Sequence, residues 1–321
     1  MAAATDWREG VLLATRDLTP DIRLFEIETK GAFVAPASGG HIDVAVQIGE
    51  RADVRSYSIV NGAGGVYRIA VKRLPQSRGG SAYMWSLAPG ARIRHSAPAN
   101  HFDLGVDAPE YLLLAGGIGV TPIYAHALAL ADRGASFRMV YGVRGAADAA
   151  LADELRERIG DRLTLLRGDS GGRIDFDAEF ARLAPGGEAY VCGPLGMLED
   201  AKRAWAASRR PMHRLRFETF GASGRLPTAA FVANIPRLGK SIAVPAGRSL
   251  LEALEAAGVA MISDCRRGEC GLCALPVLGF EGELDHRDVF FSEAEKAEGR
   301  KLCTCVSRVY GASITLDTAD R

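Results

Sequence analysis

Three cysteines within nine residues constrain this chain more than any other feature. They stand in Asp264-Cys265-Arg266-Arg267-Gly268-Glu269-Cys270-Gly271-Leu272-Cys273, spaced C-x4-C-x2-C, and two more follow some thirty residues on at Cys303 and Cys305. Three thiols this close can serve one small centre only if the backbone curls around it, and Gly268 and Gly271 supply that freedom. The spacing, with a distant fourth cysteine, is the plant-type pattern for holding a [2Fe–2S] cluster through four thiolates. A structural zinc site would show paired, short-spaced knuckles, and these are missing. In an extended segment residues two apart point the same way. Spacing alone therefore leaves both Cys303 and Cys305 open as the fourth ligand.

The whole chain, at 321 residues, is long enough for two or three domains. Lys plus Arg and Asp plus Glu both number 39, so no global basic field attracts nucleic acid or anionic lipid. The N-terminal MAAATDWREG lacks a basic stretch followed by an apolar run, and nowhere do about eighteen apolar residues follow one another. A cytoplasmic protein with no membrane role is expected. Six cysteines are too few for a disulfide-built fold of this size, and thiolate ligands for iron–sulfur chemistry suit a reducing compartment.

Residues 1–107 carry short alternating runs at Gly10-Val11-Leu12-Leu13-Ala14, Ile22-Arg23-Leu24-Phe25-Glu26-Ile27 and His41-Ile42-Asp43-Val44-Ala45-Val46. Such runs, separated by turn residues, predict an antiparallel β-barrel. Arg55-Ser56-Tyr57-Ser58-Ile59, the run Tyr67-Arg68-Ile69-Ala70-Val71-Lys72-Arg73, and Arg78-Gly79-Gly80-Ser81 then follow in an order that makes sense for a flavin. An Arg pairs with phosphate through two parallel hydrogen bonds, and a Tyr face covers an aromatic ring. Gly79-Gly80-Ser81 opens a predicted helix whose first N–H groups favour an anion.

Across residues 108–225 the period changes. Tyr111-Leu112-Leu113-Leu114-Ala115 is a continuous apolar run that enters Gly116-Gly117-Ile118-Gly119-Val120-Thr121-Pro122 and then a helical pattern from Ile123 to Arg133. A strand, a glycine turn and a helix start with Pro in its first turn form a dinucleotide pyrophosphate site. Further strands near residues 137–141, 163–166 and 188–192 alternate with helices near 148–159, 176–183 and 195–207, which predicts a doubly wound parallel sheet. Ligands gather at the carboxyl ends of such strands, where Gly117 to Thr121, Arg144, Asp169, Cys192 and Gly193 fall. Asp169 would meet a ribose hydroxyl, and Arg144 a 2′-phosphate if one were present.

Residues 228–321 open with two strands, Phe231–Ile235 and Ser241–Val244, and a helix capped by Ser249 and ended by Gly258. Two strands, a helix and a cysteine loop describe a β-grasp domain built around its metal centre. The stretch 221–227, GASGRLP, reads as the linker before it.

Taken together, the chain resembles the phthalate dioxygenase reductase family over nearly its whole length. Arg55-Ser56-Tyr57-Ser58 is similar to that family's flavin strand, Gly79-Gly80-Ser81 to its phosphate turn, and Gly116 to Pro122 to its nicotinamide motif. Phe217-Glu218-Thr219-Phe220-Gly221 resembles the stretch that closes its nicotinamide domain beside the flavin. Asp285-His286-Arg287-Asp288 and Cys305-Val306-Ser307-Arg308 resemble its last-domain segments.

The resemblance implies an FMN-binding barrel, a nicotinamide domain and a C-terminal ferredoxin, with Cys265, Cys270, Cys273 and Cys305 as metal ligands. It implies electron flow from NADH through FMN and [2Fe–2S] to a Rieske-type oxygenase docking near the cluster loop. Arg266 and Arg267 flank the cysteines, either as a docking patch for an acidic partner or as part of a solvated loop. By the same resemblance Arg55, Ser56, Tyr57, Ser58, Lys72, Gly79, Gly80 and Ser81 hold the flavin. Gly117, Ile118, Gly119, Thr121, Arg144, Asp169, Cys192, Gly193 and Phe220 serve the dinucleotide, and no side chain is needed as acid or base. Two other readings stand beside it: the electron-transfer subunit of another flavin and iron–sulfur dehydrogenase, and a metal-stabilised redox-sensing or binding protein with no flavin.

Overall fold

Alternation of apolar residues along the first six strands lets them close into a barrel. A computed structural model describes residues 6–74, 79–220 and 226–318. Most of the expected linker, residues 221–225, and Arg78 of the flavin turn lie outside the described residues. The chain divides into two units, one running to Glu218 and the other from Thr219.

The first unit begins with β1 (Trp7–Thr19), β2 (Ile22–Thr29), β3 (Gly40–Ile48), β4 (Arg51–Ala63) and β5 (Val66–Lys72). Helix α1 (Gly80–Ser86) and strands β6 (Arg92–Ser96) and β7 (Ala99–Asn100) complete the subdomain. The sheet runs β4-β5-β2-β1-β6-β3-β7, and it closes because β3 also pairs with β4. Six antiparallel strands thus form the barrel, with β7 as a short addition to β3. Leu12, Phe25, Ile27, Ile42, Val44 and Ile69 fill it, and Met84 of α1 is buried with them. Each such side chain contributes roughly 1.5–3 kcal/mol through loss of apolar surface to water.

The same unit continues with β8 (Tyr111–Gly116), α2 (Val120–Asp132), β9 (Phe137–Val143), α3 (Ala152–Ile159) and β10 (Leu163–Arg167). Helix α4 (Phe176–Arg182), β11 (Glu188–Cys192), α5 (Leu195–Ala207) and β12 (Leu215–Glu218) follow. Every residue of β8 and β11 is buried, as a parallel sheet covered on both faces requires. The order is β10-β9-β8-β11-β12. Chain direction across the sheet reverses between β8 and β11, and such a switch point opens a crevice at the strands' carboxyl ends. Helix α2 starts at Val120, three residues before the helical pattern expected from Ile123, so that Pro122 sits in its first turn. The four-residue β12 is too short to announce itself by alternation.

Barrel and sheet share one core: Ile22, Leu24, Val60 and Ala70 of the barrel pack with Val120, Ile123, Tyr124 and Ala127 of α2. At its edge the Glu154 carboxylate of α3 accepts from Arg16, from Arg68 at 3.5 Å and from the Tyr124 hydroxyl at 3.2 Å. Burial pushes the Glu154 pKa up, but these donors outweigh it and hold it below the usual value. These contacts tie β1 and β5 to α2 and α3, while Val60 of β4 packs in the same core as Val120 and Ile123 at the start of α2.

The second unit comprises β13 (Phe231–Ile235), β14 (Lys240–Val244), α6 (Leu250–Ala256), β15 (Ala274–Asp285), α7 (Glu293–Glu298), β16 (Lys301–Cys303) and β17 (Arg308–Leu316). Its sheet order is β14-β13-β17-β15-β16, with β13 and β17 parallel. Helix α6 has the expected cap: the Ser249 hydroxyl accepts from the Glu252 N–H, and the Glu252 carboxylate accepts from the Ser249 N–H. Its Leu250, Ala253 and Leu254 cover Phe231, Ala233, Ile235, Ile314 and Leu316. This is a β-grasp fold.

Candidate cofactor sites

On β4, Arg55 and Tyr57 alternate with Ser56 and Ser58, as pleating dictates. The Arg55 Nη1 is committed to Asp53 at 2.9 Å and to the Val54 carbonyl at 2.7 Å. Its Nη2 is buried with no hydrogen-bond partner. A buried guanidinium nitrogen left without an acceptor is costly, and a phosphate oxygen is an acceptor suited to it. Gly80 lies directly on this side chain, since a Cβ there would fall 2.7 Å from Arg55 Cγ and Nε. Gly79 is left-handed at φ 98°, and a Cβ would meet Ile48 Cγ2 at 2.5 Å. Both glycines are therefore required by close approach, and the Arg55 surroundings fit a flavin phosphate.

Tyr57 is largely enclosed, and burial pushes its phenol pKa well above the ordinary value, which keeps it neutral. Ser56 turns away and donates to Asp43. Lys72 pairs with Asp21 at 3.1 Å, and the Ser81 hydroxyl accepts the Leu74 N–H at 3.3 Å. The buried Ser58 hydroxyl donates to Glu218 Oε2 at 3.4 Å, which joins the flavin strand to the end of β12. Glu218 was visible only as part of the Phe217–Gly221 stretch, because nothing in its spacing foretells a partner 160 residues away.

The β8 and β11 ends meet backbone to backbone. A Cβ on Gly119 would lie 2.2 Å from the Cys192 carbonyl oxygen, and one on Gly193 would lie 3.2 Å from Gly116 Cα. Gly117 is left-handed at φ 54° and has open space above it. Thr121 is buried, its hydroxyl donating to the Ile118 carbonyl at 3.1 Å, and Cys192 is wholly buried. This fits a dinucleotide pyrophosphate laid across a switch point. At the neighbouring strand ends the Asp169 N–H donates to the Arg144 carbonyl at 2.8 Å. The exposed Arg144 guanidinium faces Asp148 at 3.3 Å. Phe220, just past β12, is 37 % exposed.

In the second unit the cysteine loop points its backbone at a sulfur. The N–H groups of Arg267, Glu269 and Cys270 donate to Cys265 Sγ at 3.5, 3.4 and 3.4 Å. Burial pushes the Cys265 thiol up while these donors oppose it. Cys273, Cys303 and Cys305 lie together in one buried cluster with Leu251, Phe291 and Val306. Donation from Cys303, then from Cys305, favours the Cys273 thiolate, holding it at about 3.

Gly268 and Gly271 are left-handed at φ 79° and 73°. A Cβ on Gly271 would strike the Phe290 ring at 2.3 Å, and one on Gly268 would meet Val306 Cγ2 at 2.6 Å. Arg266 shares the left-handed backbone at φ 49° and pairs with Glu255 at 2.7 Å. Arg267 faces Glu269 at 3.5 Å. Both arginines thus have a carboxylate partner within the second unit. Cys303 and Cys305 also depart from a shared extended segment: Cys303 ends β16, whereas Cys305 lies in the turn that follows.

Two family models match: the oxidoreductase NAD-binding domain over residues 113–203 and the 2Fe-2S iron–sulfur cluster binding domain over residues 234–310. The chain is 38% identical to the heme-dependent oxidative N-demethylase beta subunit of Ectopseudomonas mendocina, covering 95% of this chain and 96% of that one. It is 39% identical to the phenoxybenzoate dioxygenase subunit beta of Ectopseudomonas oleovorans, covering 92% and 93%. A solved structure of phthalate dioxygenase reductase, described as modular for electron transfer from pyridine nucleotides to [2Fe–2S], superposes with TM-score 0.78. It is 32% identical, over 97% of this chain and 98% of that one. The chain belongs to the phthalate dioxygenase reductase family. As a member it is an oxidoreductase using NADH, FMN and a [2Fe–2S] cluster, and it acts as the reductase component of an oxygenase system. No helix among the described residues is long and apolar enough to cross a membrane.

Proposed function

We propose that this family member carries electrons from NADH to a Rieske-type terminal oxygenase in the cytoplasm. Its three parts are a flavin domain over residues 1–107, a nicotinamide domain over 108–225 and a ferredoxin domain over 228–321. The observation that carries the residue-level reading is the orphaned Arg55 Nη2 over Gly80, in the unit that also holds the glycine crevice. NADH supplies electrons in pairs, FMN accepts pairs and releases single electrons, and the [2Fe–2S] cluster carries them one at a time.

In this reading Arg55, with Gly79, Gly80 and Ser81, fixes the flavin phosphate, while Asp53 and Lys72 set the local charge. Ser56 orders the outer face of the strand through Asp43. Tyr57 covers the ring as a neutral phenol and excludes water. Ser58 and Glu218 close the seam beside Cys192, where the nicotinamide would enter. Gly117, Ile118, Gly119, Thr121 and Gly193 receive the pyrophosphate through backbone. Asp169 and Arg144 stand where an adenosine ribose would lie, and Phe220 caps the end of β12. Cys265, Cys270, Cys273 and Cys305 ligate the cluster. Cys305 is favoured because it opens the Cys305-Val306-Ser307-Arg308 segment that resembles the family's.

An Arg55→Ala variant is expected to bind FMN about 10–100-fold more weakly, the loss of a charge-assisted pair worth roughly 1.5–3 kcal/mol. Flavin fluorescence released on dilution measures it.

The oxygenase would dock at the cluster loop, where Leu272 and Phe290 are each 48% exposed. A second reading, a haem-dependent demethylase partner, draws on the first of the relatives named above. Anaerobic mixing of the NADH-reduced protein with a purified Rieske dioxygenase, and separately with a haem N-demethylase component, tests the choice. Faster reduction of the Rieske centre supports this proposal, and faster haem reduction overturns it.

A further inference from the structure

We propose that Asp148 and Asp21 decide which dinucleotide this protein accepts: they engage Arg144 and, with Asp169, make the adenosine end of the site take a ribose 2′-hydroxyl and refuse a 2′-phosphate. The inference rests on the reading of Gly117 to Thr121 and Gly193 as the dinucleotide crevice, and it adds the residues that tell NADH from NADPH. In a doubly wound sheet, the strand after the glycine turn and its helix ends beside the adenosine ribose. A carboxylate there holds the 2′-hydroxyl of NADH, or an arginine receives the 2′-phosphate of NADPH. Here that strand is β9, and Arg144 follows its last residue, Val143. The chain thus carries an arginine where a 2′-phosphate would lie.

That arginine is engaged by two carboxylates. Its Nη2 faces Asp148 Oδ1 at 3.3 Å and Asp21 Oδ2 at 3.9 Å. Asp148 is held in place by backbone, since its Oδ2 accepts the Gly145 N–H at 3.1 Å. Asp21 comes from the barrel, in the turn between β1 and β2. Its Oδ2 also meets Lys72 at 3.1 Å, and its Oδ1 accepts from the Thr19 hydroxyl at 3.0 Å. Burial pushes the Asp21 carboxyl up, but Lys72 and Thr19 outweigh it and hold it below the usual carboxylate value. Asp169 stands at the next strand end: a Cβ on Gly145 would lie 3.1 Å from Asp169 Oδ2 and 3.7 Å from Asp148 Oδ2. Arg167, which ends β10, faces Asp169 at 3.9 Å. A charged 2′-phosphate would therefore approach three carboxylates and have to displace Asp148 or Asp21 from Arg144, whereas a neutral hydroxyl needs neither. Selectivity of this kind works by repelling the wrong ligand.

The test is the affinity of the intact holoprotein for 2′,5′-ADP relative to 5′-AMP, the adenosine ends of the two dinucleotides, measured by titration calorimetry. The ratio of kcat/KM for NADPH to that for NADH is measured beside it. The parent is expected to prefer 5′-AMP and NADH. Asp148→Asn, whose amide oxygen still accepts the Gly145 N–H, is expected to shift both ratios toward the 2′-phosphate by about tenfold. Asp21→Asn should shift them by about threefold, its contact with Arg144 being the longer. Adding Arg144→Ala to Asp148→Asn should return both ratios toward the parent's. If the two Asn variants keep the parent's ratios, or if the gain survives Arg144→Ala, the inference is overturned while the crevice reading stands. A parent that binds 2′,5′-ADP as tightly as 5′-AMP overturns it too. If the parent binds neither nucleotide and oxidises neither dinucleotide, the crevice reading falls and the inference with it.

Discussion

Replacing Cys305 by Ser is expected to strip the [2Fe–2S] absorbance from the protein and leave its flavin in place. NADH-driven reduction of cytochrome c, a one-electron acceptor, should fall by more than about a hundredfold, since loss of an outer-shell partner alone costs 10–100-fold at metal sites. NADH-driven reduction of ferricyanide, which the flavin serves directly, should change little. The separation follows from the fold. Cys305 packs among Leu251, Cys273, Phe291 and Val306 of the second unit, whereas Arg55, Tyr57 and the Gly119 crevice belong to the first. A buried serine hydroxyl there adds a desolvation cost of roughly 1–3 kcal/mol, which lowers the melting temperature of the ferredoxin unit without touching the flavin. Iron content, flavin content and the two acceptor rates on one preparation check this. Full cluster occupancy in the variant would contradict the ligand assignment.

Gly119→Ala should damage the nicotinamide site through a single methyl group. Gly119 has an ordinary helical φ of −60°, so no backbone strain enters. The added Cβ would stand 2.2 Å from the Cys192 oxygen, 2.5 Å from its carbonyl carbon and 2.8 Å from Gly193 N. All three are backbone atoms of the β11 end, and no side-chain rotation relieves them. The two strand ends must separate, at a cost typical of overpacking, roughly 1–3 kcal/mol, or about 2–12 °C in Tm at 2–4 °C per kcal/mol. Because the separation distorts the dinucleotide crevice, KM for NADH should rise by about tenfold or more, 1.4 kcal/mol being tenfold. Gly117→Ala is the contrast. It meets open space but must hold φ 54°, so only the left-handed penalty of roughly 1–2 kcal/mol applies. An unchanged Tm and KM in Gly119→Ala would show that the crevice is looser than its geometry.

Local chemistry carried much of this architecture into the sequence. The cysteine spacing, the strand–glycine–helix passage at Gly116 to Pro122 and the Ser249 cap each act over a few residues, and each was readable from order alone. What stayed hidden was long-range or charge-balanced. The joining of Ser58 to Glu218 and the gathering of Arg16, Arg68 and Tyr124 on Glu154 depend on strands closing into a barrel and a helix packing against it. The partners of Arg266 and Arg267, Glu255 and Glu269, were likewise not readable from residue order. Cys303 and Cys305 looked equivalent because an extended segment was assumed, and the chain instead turns between them.

Anaerobic titration of the purified protein with NADH, followed across the visible spectrum, tests the central claim most directly. Electron flow from NADH through FMN to [2Fe–2S] predicts that both the flavin band and the cluster bands bleach, reaching completion with the same added NADH. Absence of a flavin band, or a flavin that bleaches while the cluster stays oxidised, would contradict it.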